Sequence, residues 1–205
     1  EDSGRTWGEP QRLFDFPTDW GTFMDGAALV SQSGAIHLFG LDYYDFNFTD
    51  RAKSKSHLWH ARSRDGGKTW DPVQNVPFGL EYTGASNNAF QTKSARIIAP
   101  ISGFTERKIA PWVCLAPYSD DDGATWQLPT QQIGVNTGAT DWYESGAVEP
   151  VGVQLNDGRL WMIIRAQDGY QWESFSEDDG LTWTTPRHTR FISNQSASAV
   201  LRLAD

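Results

Sequence analysis

The sequence predicts an all-β chain made of radially repeated four-stranded units, a β-propeller segment. Three observations carry that prediction. An eight-residue motif recurs along the whole chain. Aromatic residues make up 13% of the sequence (10 Trp, 6 Tyr, 11 Phe) beside 19 Gly, the composition of short strands joined by tight turns. No stretch sustains the 3.6-residue apolar period of an amphipathic helix.

The recurring motif is S-x-D-x-G-x-T-W. It reads Ser63-Arg-Asp65-Gly-Gly67-Lys-Thr69-Trp70, then Ser119-Asp-Asp121-Asp-Gly123-Ala-Thr125-Trp126, then Ser176-Glu-Asp178-Asp-Gly180-Leu-Thr182-Trp183. A copy without its leading serine, Asp2-Ser-Gly4-Arg-Thr6-Trp7, opens the chain. Asp2, Asp65, Asp121 and Asp178 are spaced 63, 56 and 57 residues apart, which suits one four-stranded unit per repeat. The motif itself reads as a turn. Its Asp accepts backbone N–H groups, its Gly takes the positive φ of a tight turn, and Thr-Trp starts the next strand with a large apolar anchor. A calcium loop is the competing reading. It fails on Gly66, which follows Asp65, and on the missing Glu that closes a twelve-residue loop. No metal site is expected, and no cofactor.

Between the motifs the chain reads as strands. The second unit has Ala27–Ser31, a turn at Gly34, Ile36–Leu41 and His57–Ser63. The third has Asn88–Gln91, Arg96–Ile101 and Val113–Tyr118. The fourth has Val148–Leu155, an Asn156-Asp157-Gly158 hairpin turn, Arg159–Arg165 and Tyr170–Phe175. Ser198–Leu203 is expected to begin a fifth unit. The predicted division is a blade end at 1–12, blades at 13–75, 76–130 and 131–187, and the start of another at 188–205, in one incomplete domain.

Composition excludes several classes of function. Seventeen Lys and Arg against 26 Asp and Glu give a formal charge of −9, which argues against neutralising nucleic-acid phosphates. No apolar run approaches the roughly 20 residues that span a bilayer. No signal peptide is visible at the start of the sequence. A single cysteine, Cys114, in an apolar strand, rules out an internal disulfide and reads as core. The four histidines are scattered, and His57 and His60, three apart on a strand, face opposite sides.

Four S-x-D-x-G-x-T-W copies resemble the Asp boxes, or BNR repeats, of sialidases and their relatives, over essentially the whole chain. A narrower match lies in the fourth unit, Val148-Glu149-Pro150-Val-Gly-Val-Gln-Leu155-Asn-Asp157-Gly158-Arg159-Leu-Trp-Met-Ile-Ile164-Arg165. It is similar to the sialidase blade in which a Glu opens the innermost strand and an Arg closes the next. The resemblance implies a propeller whose boxes are scaffold (Asp2, Asp65, Asp121, Asp178). It implies a retaining exo-glycosidase that removes terminal sialic acid from glycoconjugates. In that family Glu149 pairs with a nucleophilic Tyr, and Arg165 belongs to a trio gripping the substrate carboxylate. The family's first Arg and acid/base Asp are not found before the first box, nor its third Arg and Tyr after the fourth. In the third unit, Ala95 stands where the inner hairpin has Gly. A six-bladed family ring makes this chain about three blades with two ragged ends, a fragment. The substrate class favours a secreted or periplasmic protein.

Two further arguments bear on the site. The strand after Glu149 (Val151, Val153, Leu155) is too apolar for a blade edge, so a carboxylate there must emerge at a polar rim or pocket. Arg165 ends the apolar run Leu160–Ile164, as a snorkelling cation or as a bidentate clamp on a carboxylate. Counting back nine residues from the hairpin glycine gives Glu149 from Gly158 and Asp25 from Gly34. Asp25 therefore takes the same rim position two units away if the blades are built alike. Similar counting adds Asn88 and Asp42 as candidate substrate-binding residues, and Gln171 joins them from the stretch Gln167–Ser174, which resembles a bacterial sialidase-like subgroup. Two other classes fit the same residues. One is a propeller lyase or hydrolase acting on another acidic sugar such as a uronate; the other is a non-catalytic propeller that binds carbohydrate or protein.

Overall fold

Alternation of apolar and polar side chains, punctuated by turn glycines, gives the chain its strands. The computed structural model describes residues 4–14, 22–44, 55–76, 82–104, 111–138, 145–193 and 195–203, with backbone alone at 22–25, 44, 82–85 and 104. Asp2 lies outside the described residues. Among those described there are strands and turns but no helix, and so no helix long and apolar enough to cross a membrane.

The strands form three consecutive antiparallel blades of a β-propeller. The first is β1 (Thr22–Val30), β2 (Ile36–Tyr44), β3 (Lys55–Ser63) and β4 (Gln74–Val76), paired in that order. The third is β12 (Val148–Gln154), β13 (Leu160–Arg165), β14 (Tyr170–Ser176) and β15 (Arg187–Ile192), again in order. The second blade is split. Its long ladder is β5 (Tyr82–Ala85), β8 (Ile101–Phe104), β9 (Val113–Leu115) and β11 (Ile133–Gly134). Its short ladder is β6 (Phe90–Gln91), β7 (Ile97–Ile98) and β10 (Tyr118–Ser119). The expected strand Arg96–Ile101 is thus broken. Pro100 and Pro117, at the two gaps, have no N–H for a ladder. A second correction concerns Ser198–Leu203, which forms no strand. It runs along β12 instead, where Arg202 donates from Nη1 to the Gln154 carbonyl at 2.8 Å. A side chain takes the carbonyl that a neighbouring strand's N–H would otherwise take.

Apolar strand faces meet between blades. Leu41, Leu58, Val76, Ile101, Trp112, Leu115 and Val148 form one cluster. Phe90, Ile98, Cys114, Leu160, Met162, Ile164 and Trp183 form another. Cys114 is fully buried, as its apolar strand predicts, and burial pushes its thiol pKa well up. Each fully buried Leu, Ile or Met contributes roughly 1.5–3 kcal/mol.

The repeated boxes do two jobs. Inside each box the first Asp closes the turn. Oδ1 of Asp65 accepts the N–H groups of Lys68 and Thr69 at 3.0 and 2.9 Å, and Oδ2 accepts the Thr69 hydroxyl at 2.6 Å. Those bonds hold its carboxyl at about 2. Asp121 and Asp178 repeat the pattern with Thr125 and Thr182. The residue after that Asp reaches back to the preceding blade. Asp122 and Asp179 both adopt left-handed backbone, φ 55° and 58°. The Asp122 carboxylate accepts the Ser33 hydroxyl at 2.8 Å, and its carbonyl accepts Arg62. The Asp179 carboxylate accepts the Ser94 hydroxyl, and its carbonyl accepts Arg96 Nη1 at 2.9 Å. Glutamines make a second repeated contact. Gln91 Oε1 accepts the Gln32 N–H at 2.6 Å, and Gln154 Oε1 accepts the Lys93 N–H at 2.7 Å.

The joint between the first two blades also contains a buried histidine pair. His37 Nδ1 lies 3.0 Å from His60 Nε2, and His37 Nε2 lies 3.3 Å from Asp122 Oδ1. The Gln74 amide nitrogen donates to the Gly123 carbonyl at 2.8 Å and sits 2.9 Å from His60 Nδ1. That nitrogen has only hydrogens to offer, so His60 Nδ1 must be an acceptor. His60 Nε2–H then donates to His37 Nδ1, and His37 Nε2–H donates to Asp122. Both rings are neutral in this chain of bonds. A proton on either acceptor nitrogen would set two N–H groups face to face. Burial lowers both pKa values, that of His60 to about 3, with Arg62 adding to the effect and Asp122 opposing it.

A histidine kept neutral in the fold stabilises it fully above the unfolded pKa of about 6.5. That contribution is lost as pH falls toward the folded value. Denaturant titrations should therefore show stability dropping between pH 6.5 and 5, with about 2 kcal/mol of the loss from His60, whose pKa is held at about 3. His60→Gln should remove its share and flatten that slope. An unchanged slope would contradict the neutral pair.

Candidate functional site

The inner strand of the third blade leaves its ladder at one point. Val148 pairs with Arg165 and Val151 with Ile163, so one extra residue is accommodated across Glu149 and Pro150. Glu149 sits there at φ 48°. Left-handed backbone costs a non-glycine residue about 1–2 kcal/mol. Pro150, which has no N–H, occupies a bulge where none is needed for the ladder. The chain is held just upstream as well. The Trp112 N–H donates to the Ser145 carbonyl at 2.7 Å, and Ala147 N–H donates to the Trp112 carbonyl at 2.9 Å, a parallel bridge to the second blade.

Across the bulge Glu149 meets Arg165, the last residue of β13. Arg165 Nη1 is 2.8 Å from Glu149 Oε2, and the two side chains are only 11% and 22% exposed. The two candidates sixteen residues apart in sequence are therefore one ion pair at one rim. The 155–158 turn of this blade lies at the other end of the strands. A cleft of about 550 Å³ opens at that opposite end, between Val30, Thr92, Gln154 and Arg202. It lies at the hairpin ends of the inner strands, whereas the acidic residue stands at the start of β12. The chemistry points to the Glu149 rim.

The first blade repeats the backbone feature. Its register shifts by one residue between Met24 and Gly26, which places Asp25 at a bulge of β1. The side chain of Asp25 lies outside the described residues. Leu41, at the position equivalent to Arg165, is fully buried core. Asp42, one residue on, is fully buried with its carboxylate 3.6 Å from Nδ1 of His57, its partner across β2 and β3. Sequence reasoning singled out Asp42 without His57, although cross-strand pairing would have supplied it.

Asn88 is committed to a clasp between blades. Its Nδ2 donates to the Gly152 carbonyl at 2.8 Å, and its Oδ1 accepts the Gly152 N–H at 3.0 Å. In the nine-residue count the second blade's equivalent of Glu149 is Ser86, which is buried. Gln171 pairs with Arg165 across β13 and β14. Its Nε2 donates to Ser193 Oγ at 2.8 Å and to the Ser196 carbonyl at 2.7 Å. The structure thus unites Glu149 with Arg165, places Gln171 beside them, and puts Asp25 and Asp42 on the first blade. Sequence reasoning missed Ser102, whose Oγ accepts the Glu149 N–H at 3.1 Å.

The family model for BNR repeat-like domains matches residues 1–205. Several solved structures share the fold. A protein of unknown function from Dyadobacter fermentans DSM 18053 superposes with a TM-score of 0.71 at 19% identity, over 94% of this chain and 57% of that one. The Hadza microbial sialidase Hz136 gives 0.66 at 20% identity, over 92% and 39%. An intramolecular trans-sialidase from Ruminococcus gnavus gives 0.63 at 18% identity, over 92% and 62%. This chain therefore spans between about two fifths and three fifths of the length of these structures.

Removing one member of a mostly buried ion pair leaves the other charge uncompensated. Arg165→Leu should cost about 2 kcal/mol in urea unfolding, and Glu149→Gln added to it should recover most of that loss. A double variant no more stable than Arg165→Leu would refute the pairing.

Proposed function

Since the chain belongs to the family of BNR repeat-like domains, we propose that it supplies part of the site of a retaining exo-glycosidase that removes terminal sialic acid from glycoconjugates. The Glu149–Arg165 pair at the bulged rim is the observation that supports this reading. An arginine presents up to five donors in a planar fork, a shape that grips a carboxylate on two oxygens. Arg165 is the group that would grip the acidic sugar. Glu149 is the group that would take a proton from a tyrosine hydroxyl outside this chain, making phenolate a usable nucleophile. A phenolate nucleophile suits an anionic sugar, because a carboxylate in its place would repel the substrate. Sialidases depart from the two-carboxylate scheme of most glycosidases in this way. Asp25, at the equivalent bulge of the first blade, is a second acidic group proposed for the same rim. Gln171, the cross-strand partner of Arg165, would lie beside the Glu149–Arg165 pair. The net charge of −9 works against an anionic ligand, so binding must rest on local arginines.

The two roles separate experimentally in the full-length protein with a fluorogenic sialoside. Arg165→Lys keeps the charge but loses the fork, and should lower kcat/KM roughly ten- to a hundredfold. Glu149→Gln should lower kcat by on the order of a hundredfold or more while a carboxylate-bearing analogue still binds. Near-normal kcat/KM for both folded variants would overturn the assignment. Cleavage of a uronide with sialosides untouched would move the activity to another acidic sugar.

A further inference from the structure

The bulge at Glu149 creates an accounting problem that one side chain solves. Two residues, Glu149 and Pro150, stand off the β12–β13 ladder. Pro150 has no N–H, so the bulge carries a single backbone donor, that of Glu149. At φ 48° this amide does not follow the ladder direction of the rest of β12. A buried N–H without a partner is costly. The partner comes from the preceding blade: Ser102 Oγ on β8, at 3.1 Å.

Ser102 is itself fully buried. It lies between Ile101 and Gly103, pairs with Cys114 on β9 and Ala85 on β5, and has apolar Ile101, Leu115 and Val148 nearby in the core. A hydroxyl in such surroundings is tolerated only when hydrogen-bonded. Here the bond crosses the blade boundary and ends on the residue whose carboxylate meets Arg165 Nη1 at 2.8 Å. The adjoining Trp112–Gly146 bridge fixes the strand upstream of the bulge.

We infer that Ser102 is a positioning residue, which holds the Glu149 amide in its left-handed bulge and thereby sets the Glu149 carboxylate against Arg165. The backbone part of this inference stands on the hydrogen bond. Its consequence for turnover rests on the proposed role of Glu149. Without the hydroxyl the amide loses its acceptor and the backbone is released from a conformation that glutamate disfavours. The carboxylate then samples other directions, which lowers the fraction of molecules ready to react and leaves the arginine grip largely in place.

The test uses Ser102→Ala and Ser102→Thr in the full-length protein, with two readouts. Residue-resolved hydrogen exchange by NMR should show the Glu149 amide exchanging at least tenfold faster in Ser102→Ala. Val148 and Val151 should change less than twofold, and Ser102→Thr, which keeps a hydroxyl, should recover most of the protection. With a 4-methylumbelliferyl sialoside, Ser102→Ala should lower kcat about tenfold while KM stays within threefold, and Ser102→Thr should recover most of the rate. Unchanged exchange at Glu149 in Ser102→Ala overturns the positioning role. So does faster exchange spread equally over the whole blade, which marks Ser102 as general packing. Faster Glu149 exchange with kcat unaltered in an active enzyme overturns the catalytic consequence. A wild-type protein inert toward sialosides counts against the proposed activity, and the exchange result then decides the positioning alone.

Discussion

The arc depends on how one blade is fastened to the next, and at both boundaries between the described blades one residue of an Asp box, Asp122 or Asp179, anchors the joint. Asp122 and Asp179 turn into left-handed backbone, which aims both carboxylate and carbonyl at the preceding blade. A serine from the hairpin turn and an arginine then complete the contact. Asp and Asn are the residues that tolerate this conformation best after glycine, because their short polar chains bond locally. The box glycine that follows packs against the same neighbour. A Cβ on Gly123 would lie 2.8 Å from the His60 ring, and one on Gly180 would lie 2.7 Å from Ile98. The motif is therefore a turn and a fastener together. Its recurrence reflects the need to make the same joint at each blade boundary.

That joint has consequences at the other end of the strands. Blades locked at their hairpin ends present the starts of their inner strands at a common rim. There β1 and β12 each carry one extra residue at the same distance from the hairpin, Asp25 in one and Glu149 in the other. Bulges turn a side chain away from the alternation a strand would impose. In a regular strand a residue at this position would point into one of the two faces of the sheet, which pack between blades. In β12 the bulge sets Glu149 beside Arg165 on a strand whose Val148, Val151 and Gly152 are buried. Scaffold and site are thus separated by the length of a strand.

The fold was largely legible because repetition carries it. The boxes, the hairpin glycines and the apolar runs located β2, β3, β13 and β14 closely. What escaped were features that depend on contacts between strands. The fourth strands β4 and β11 are only three and two residues long and have no pattern of their own. The break between β7 and β8 follows from prolines on both paired segments, Pro100 and Pro117, and which segments pair is not shown by sequence order. The histidines looked scattered, yet His37 and His60 meet because β2 and β3 pair and the next blade's box closes over them. Of the residues proposed for the site, Glu149 and Arg165 were legible through the resemblance of the fourth unit together with the apolar strands beside them. Ser102 was not, since one serine in an apolar stretch carries no signal until its partner is known. Gln91 lies four residues before Ala95 and Gln154 four before Gly158, an equivalence whose contact with the preceding blade only the structure shows.

Among the described residues, five non-glycine residues have positive φ, and four of them (Ala95, Asp122, Asp179 and Gln195) lie outside the strands. Glu149 alone is inside one. A turn accepts such a residue at little cost to its surroundings, whereas β12, the inner edge strand of its blade, gives up ladder bonds to β13 to hold it. Residue choice does not ease the strain, for glycine would fit the backbone better and a residue before proline prefers extended backbone. The conformation persists because neighbours over-determine it: a serine on its amide, an arginine on its carboxylate and a parallel bridge just upstream. Stability by itself selects against that combination, and packing does not require it, because β13 and β14 pair without interruption. What the combination achieves is the placement of one carboxylate beside one guanidinium at the rim, and this is the reason to seek the chemistry there.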